Sequence, residues 1–312
     1  MANENRKAKP QKKGFFDIIK NLFWLLLFLQ IAPLIFSNLK TTLEEAVSPA
    51  TQVAHMSISG LITDSGFYVK EIRRFLKNDN IKALLLKINS PGGLPGSSQA
   101  VFSELLKFKE KKPVVAFIEN MGTSGAYNIA MAANHIVATN SALVGSIGVW
   151  VQVPPNVKGL AEDWKIKFRT IKSGDYKTAG SPFQEMTIAE KAHLQGVSDD
   201  SYDQFVKDVA NSRNLSVDDH KKWGDGKVFT GNQALELKLV DKLGSELDAI
   251  DEIKKLAIIE KDEEVKLIHP KRPSKFMRLF GAEEDQDGDT TVSSIIASVI
   301  SDVIGKVSMQ LG

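Results

Sequence analysis

The chain has no cysteine, only five histidines and almost no net charge, with forty lysines and arginines facing thirty-eight aspartates and glutamates to leave +2 over 312 residues. Lack of cysteine excludes disulfides, thiolate metal sites and a cysteine nucleophile together. The charge balance leaves no overall basic field of the kind that binds nucleic acid. What is present is ordinary for a folded protein: 43% hydrophobic and 25% charged residues, enough for one large or two small domains at ~100 to 200 residues each. No internal repeat stands out.

Charge is nonetheless unevenly spread. Arg6, Lys7, Lys9, Lys12, Lys13 and Lys20 precede LFWLLLFLQIAPLIF (22–36), a run without charge. That run is short of the ~20 residues a spanning helix needs, and FFDII (15–19) brings the stretch from Phe15 to Phe36 into range, with Asp17 and Lys20 at the interface. A cleaved signal peptide is the competing reading, but SNLKTTLEE (37–45) offers no small-residue cleavage site, which favours an uncleaved anchor. The basic residues lie before the segment and only Lys40 follows it closely. By the positive-inside rule the amino terminus is then cytoplasmic and the body faces outward.

From residue 53 onward, apolar runs of strand length alternate with amphipathic stretches: VAHMSI, YVKEIRRFL, IKALLLKIN, SQAVFSELLKF, VVAFIE and the helical YNIAMAANHI. Continuous apolar runs between helices predict strands buried on both faces, hence repeated β-α units around a mostly parallel sheet, an α/β fold. Helix dominates later. Thr187 and Glu190 are spaced as a capping box at the head of residues 187–213, and GNQALELKL and SELDAIDEIKKLA predict two shorter helices. Beyond residue 268, a basic HPKRPSK, an acidic AEEDQDGD and an amphipathic SSIIASVISDVIGKVSM succeed one another. The chain divides accordingly into a basic stretch and anchor (1–40), a folded domain (41–265) and a tail (266–312).

Within the folded domain, MGTSGAYN (121–128) sets Ser124 between a strand and a helix, flanked by Gly122 and Gly125. The first N–H groups of a helix lack intrahelical partners and favour negative charge. A serine there is most often a helix N-cap, and it is equally where a nucleophile would meet an oxyanion. INSPGGLPGSS (88–98) adds a second glycine turn after a strand, exposing N–H groups at the same sheet edge if the strands are parallel. Gly93 and Gly125 are the candidate oxyanion-hole donors, a pair whose loss costs ~3 to 4 kcal/mol per donor; an ordinary glycine turn is the plain alternative.

A serine nucleophile needs a base, and the histidines offer none: His55 lies in the first strand, His193 and His220 in solvated helical stretches, His269 at the tail, and His135 is expected to close the helix after Ser124. Lys177, in the Gly- and Ser-rich SGDYKTAGSP (173–182) after the strand-like KIKFRTIK, is the alternative. A lysine removed from water can act as a general base, although most lysines in such loops are simply solvated.

Together SPGG (90–93), MGTSGAY (121–127), VGSIGV (144–149) and SGDYKTAGSP (173–182), in that order, resemble the S49 family of membrane-anchored serine peptidases, in the short single-repeat form of the signal peptide peptidase A type, with the SohB proteins close by. The likeness runs from about residue 53 to Gly244. It implies a ClpP/crotonase-type fold and a Ser-Lys dyad with Ser124 as nucleophile and Lys177 as general base, Ser146 orienting the lysine, and no metal or organic cofactor. It also implies a homo-oligomer whose active sites are shared between protomers, peptide substrates such as remnant signal peptides, and a place in the bacterial inner membrane with the catalytic domain outside. Thr123 and Asn128 depart from the family pattern, which bears on substrate preference. The tail has three open readings: packing on the body, binding the membrane face, or covering the active sites. A ClpP-like protease would need a histidine where this chain has Val149, crotonase chemistry sits poorly with an anchor, and a non-catalytic membrane scaffold on the same fold is the alternative from another class.

Overall fold

The computed structural model describes residues 20–33, 36 and 51–270. The described chain falls into two compact units: helix 20–33 belongs to the first, with Thr51 and Asp262–Lys266, and the second comprises Gln52–Lys261 and residues 267–270. In helix 20–33 the side chains of Leu22, Phe23, Trp24, Leu25, Leu26 and Phe28 are exposed. Among the described residues no helix is long and apolar enough to cross a membrane. Most of the residues the anchor expectation adds to this run, 15–19, 34 and 35, lie outside the described residues.

From Thr51 the elements in chain order are β1 (Thr51–Ile62), α1 (Gly66–Lys77), β2 (Ile81–Gly93), α2 (Pro95–Lys109), β3 (Val114–Thr123), α3 (Gly125–Ala130), β4 (His135–Ala138), β5 (Leu143–Gly145), α4 (Lys158–Asp163), α5 (Ile188–Arg213), α6 (His220–Trp223), β6 (Val228–Thr230), α7 (Gly231–Glu236), β7 (Lys242–Leu243), α8 (Glu246–Leu256) and β8 (Val265–Ile268). The expected α/β architecture is present. Strands run in the order β6-β5-β3-β2-β1, parallel throughout except for the β5–β6 pair. Leu84, Leu85 and Leu86 on β2 are all fully buried although consecutive side chains leave a strand on opposite faces, so both faces of the sheet are covered. Each such leucine contributes ~1.5 to 3 kcal/mol of transfer free energy.

Strand β3 is the pivot. Its first half, Val115–Ile118, pairs with β4, and its last three residues, Met121–Thr123, pair instead with β5. The sheet therefore forks beside β3, sending β4 toward β7 and β5 toward β6. Residues 121–123 can reach the second partner because β4 ends at Ala138 and the chain turns at Ala142, whose N–H donates to Thr139 O at 3.1 Å.

Two local expectations fail. The helix after Ser124 stops at Ala130, and His135 opens β4 rather than closing that helix. The His-Ile-Val-Ala run is apolar and pairs with β3, so tertiary pairing overrides helical spacing. KIKFRTIK forms no strand, since no described strand lies beside it to complete a ladder. By contrast the capping box holds: Thr187 accepts from Glu190 N at 3.1 Å while the Glu190 carboxylate accepts from Thr187 N at 2.8 Å, heading the longest helix described.

Candidate active site

Ser124 stands between β3 and α3 with φ 53° and ψ −128°. That combination is outside the regions open to L residues and costs ~1 to 3 kcal/mol, which the surroundings must hold in place. They do so through the backbone: Ser124 N donates to Gly145 O at 2.7 Å and Ser124 O accepts from Asn128 N at 3.0 Å. The hydroxyl makes no capping hydrogen bond, so the ordinary task of a serine here is not performed. A strained strand-to-helix turn that presents a half-buried, uncommitted serine is the geometry of a nucleophile elbow.

The SPGG turn packs directly on this elbow. Gly92 has φ +100°, and a Cβ there would lie 2.7 Å from Gly125 N and 2.9 Å from Ser124 Cβ, so only glycine fits. At Gly125 an added Cβ would meet Ser98 Oγ at 2.2 Å and Gly93 N at 3.3 Å. The N–H of Gly93 and the head of α3 are therefore close neighbours beside Ser124. Three bonds fix the turn: Ser90 Oγ donates to Gly60 O at 2.6 Å, Gly92 N donates to Ser90 Oγ at 3.1 Å, and Thr123 Oγ1 donates to Pro91 O at 3.1 Å. Ser90 and Thr123 were not singled out as site residues from sequence. For Thr123 the signal was there, in its departure from the family pattern, and its hydroxyl ties β3 to the glycine turn.

Ser146 lies next door. Thr123 pairs with Gly145, so Ser124 and Ser146 are the first residues past two adjacent parallel strand ends. Ser146 also has positive φ, 50°, and its N–H donates to Lys227 O at 2.6 Å at the start of β6. Gly93, Ser124, Gly125 and Ser146 thus share the carboxyl edge of the sheet.

Lys177 is elsewhere. It sits in a single 3-10 turn, Asp175–Thr178, exposed, and its ammonium makes no hydrogen bond or ion pair with Ser124, Ser146 or any other described residue. Among the described residues nothing withdraws Lys177 from water as expected of a lysine base. The whole segment around it is unusual, with Trp150 78%, Trp164 73%, Ile171 101% and Ile188 90% exposed. An open groove lined by Trp150, Val151, Val153, Met186 and Leu194 runs where this segment meets α5.

Histidines do not fill the gap. His55 Nε2 is 3.2 Å from Glu246 Oε1 and its Nδ1 is 3.2 Å from His269 Nδ1, His193 lies against the Tyr176 ring, and His220 Nδ1 is 2.9 Å from Val217 O. Burial, first, and repulsion from His269 hold the His55 imidazole below its ordinary value, with Glu246 opposing and Lys87 adding to the depression. Among the described residues no group of three or more His, Cys, Asp or Glu is placed to hold a metal ion.

The sequence profile of peptidase family S49 matches residues 107–260, a stretch that contains Ser124, Ser146 and Lys177. A Synechocystis protein provisionally named a protease is 42% identical over 205 residues, covering 65% of this chain and 73% of its own. A Methanocaldococcus jannaschii protein, also provisionally named a protease, is 38% identical over 200 residues, or 64% of each chain. An Enterococcus faecium protein provisionally named signal peptide peptidase SppA is 32% identical over 228 residues, 69% of this chain and 66% of its own. The chain spans about two thirds of the length of these relatives.

Proposed function

The chain belongs to peptidase family S49, of the signal peptide peptidase A type, and from that premise we propose that it is a membrane-anchored serine endopeptidase whose Ser124 works with Lys177 of a neighbouring protomer. The observation that carries the reading is the Ser124 elbow: strained, free of a capping bond, and beside the N–H groups of Gly93 and Gly125. In the proposed step the neutral amine of Lys177 takes the Ser124 proton, and Ser124 Oγ bonds to the peptide carbonyl carbon. The oxyanion rests on the two N–H groups, the resulting ammonium returns the proton to the leaving amine, and water cleaves the acyl-enzyme by the same route. Ser146, one strand over, orients the lysine.

Sharing the site between protomers is supported by the exposed apolar segment that bears Lys177. Such a surface exceeds the scattered apolar residues of a normal monomer and marks an association face. Docking it on a second copy would withdraw the amine from water, the condition under which lysine serves as a base. The forked sheet with serine at its carboxyl edge supports a ClpP/crotonase-type fold. Anchoring by residues 15–36, with an outward-facing domain in a bacterial inner membrane and apolar peptides such as remnant signal peptides as substrates, follows from the basic amino-terminal flank and the family.

A serine-reactive fluorophosphonate tests the reading. It is expected to label the wild-type oligomer and neither Ser124→Ala nor Lys177→Ala, while an assembly mixed from the two variants regains labelling and hydrolysis. An unlabelled wild-type oligomer would favour a scaffold role, and a mixture that stays inactive would sink the shared site.

A further inference from the structure

Four buried side-chain polar atoms lack a hydrogen-bond partner among the described residues, and two of them, Ser98 Oγ and Asn128 Oδ1, belong to the helices that meet at the elbow. Ser98, in the first turn of α2, is 1% exposed. Its N–H donates to Leu94 O at 3.1 Å, but its hydroxyl is bonded to nothing. A buried hydroxyl without a partner is destabilising, and alanine would be both a better helix former and free of that cost. What Ser98 touches is informative. The point that a Gly125 Cβ would occupy is 2.2 Å from Ser98 Oγ and 3.3 Å from Gly93 N, so the hydroxyl lies against the junction of the two groups assigned as oxyanion donors.

We propose that Ser98 is a positioning residue of the oxyanion hole, keeping Gly93 and Gly125 in register and lending its unclaimed O–H dipole to the charge held on their N–H groups. The inference rests on the reading of Gly93 and Gly125 as those donors. Because no acceptor fixes the hydroxyl proton, it turns with the field that appears when Ser124 adds to a carbonyl. In a dry, close-packed contact a dipole acts with little screening. A plain structural reason, that α2 needs a small residue to approach α3, applies equally to alanine and so does not account for the hydroxyl.

Ser98→Ala separates the two. With the full-length oligomer and a peptide substrate, kcat is expected to fall about ten-fold, less than the loss of a direct donor. KM should stay, fluorophosphonate labelling at Ser124 should be slower but still reach completion, and the melting temperature should hold or rise. Affinity for a peptide aldehyde, which forms an oxyanion on Ser124, should weaken in step with kcat, while an unreactive peptide of the same sequence binds as before. Ser98→Cys, which keeps a weak donor at the cost of some bulk, should fall between wild type and alanine. Unchanged kcat and aldehyde affinity in a stable Ser98→Ala protein would overturn the proposal and leave the peptidase reading intact. Failure of the wild-type protein to label at Ser124 would overturn both.

Discussion

At the carboxyl edge of the sheet, the turns bearing Ser124 and Ser146 are tied into parallel ladders and buried against helices, whereas from Trp150 to Ile188 the chain is largely irregular and holds tryptophan and isoleucine side chains in water. The first region is complete in one chain. The second stacks Phe168 on Phe183 and meets α5 along a groove, yet leaves Trp150, Trp164 and Ile171 largely in water. Under the proposed reading each contributes one half of a dyad, so the difference separates a preformed half-site from one that depends on assembly.

Several substitutions would break or sharpen that contrast. The largest effect is expected at the dyad, where Ser124→Ala or Lys177→Ala should lower kcat/KM by at least ~10³-fold. Both variants should stay folded as oligomers, and calorimetry should show them equally stable. Next is Gly125→Ala, whose methyl would meet Ser98 Oγ at 2.2 Å. Displacing one donor should cost ~10² to 10³-fold in kcat, read with a peptide substrate, alongside a lowered melting temperature.

Packing gives a third comparison. Leu86→Ala, in the buried sheet, should lower unfolding free energy by ~2 to 5 kcal/mol in urea titrations. Ile171→Ser, fully exposed in one chain, should shift the stability of isolated subunits by no more than ~0.5 kcal/mol yet weaken their association in sedimentation experiments. Equal effects on isolated subunits would show that the segment folds back on its own chain.

The smallest effect is a pH dependence. The lowered pKa of His55 means that, below its ordinary 6.5, the unfolded chain binds a proton that the folded chain resists. Stability contributed by the neutral ring is therefore present above that value and drains away as pH falls from it toward the depressed folded value. The groups facing the ring are His269, Glu246 and Lys87, and Lys87 in turn pairs with Glu119 at 2.9 Å and Glu246 at 2.8 Å. His269→Ala removes one source of repulsion and should narrow the window of stability loss in pH-dependent thermal melts.

Much of the architecture was legible because its signals are local. Apolar runs of strand length gave β1, β2 and β3, and the Thr187–Glu190 spacing gave the start of α5. The fork at β3 was not, since His-Ile-Val-Ala after Ala-Met-Ala-Ala continues a helical spacing and only pairing with Val115–Ile118 turns it into a strand. KIKFRTIK carries strand composition without a partner strand among the described residues. At the site, the glycine turns and serines could be named from their order, but the backbone angles that distinguish an elbow from an N-cap, and the hydroxyl of Thr123 that ties the two turns together, are products of packing.

The change of partner along β3 has a consequence for inheritance. Ser124 and Ser146 are spaced by a main-chain ladder, Met121 to Leu143, Gly122 to Val144 and Thr123 to Gly145. Two of its rungs need glycine: a Cβ at Gly122 would meet Ile118 Cδ1 at 2.9 Å, and Gly145 has φ +99° with Lys227 O 3.0 Å from its Cβ position. Inherited change is therefore absorbed more readily at the exposed Leu143 than at either glycine, and the interval between the two turns rests on the main chain.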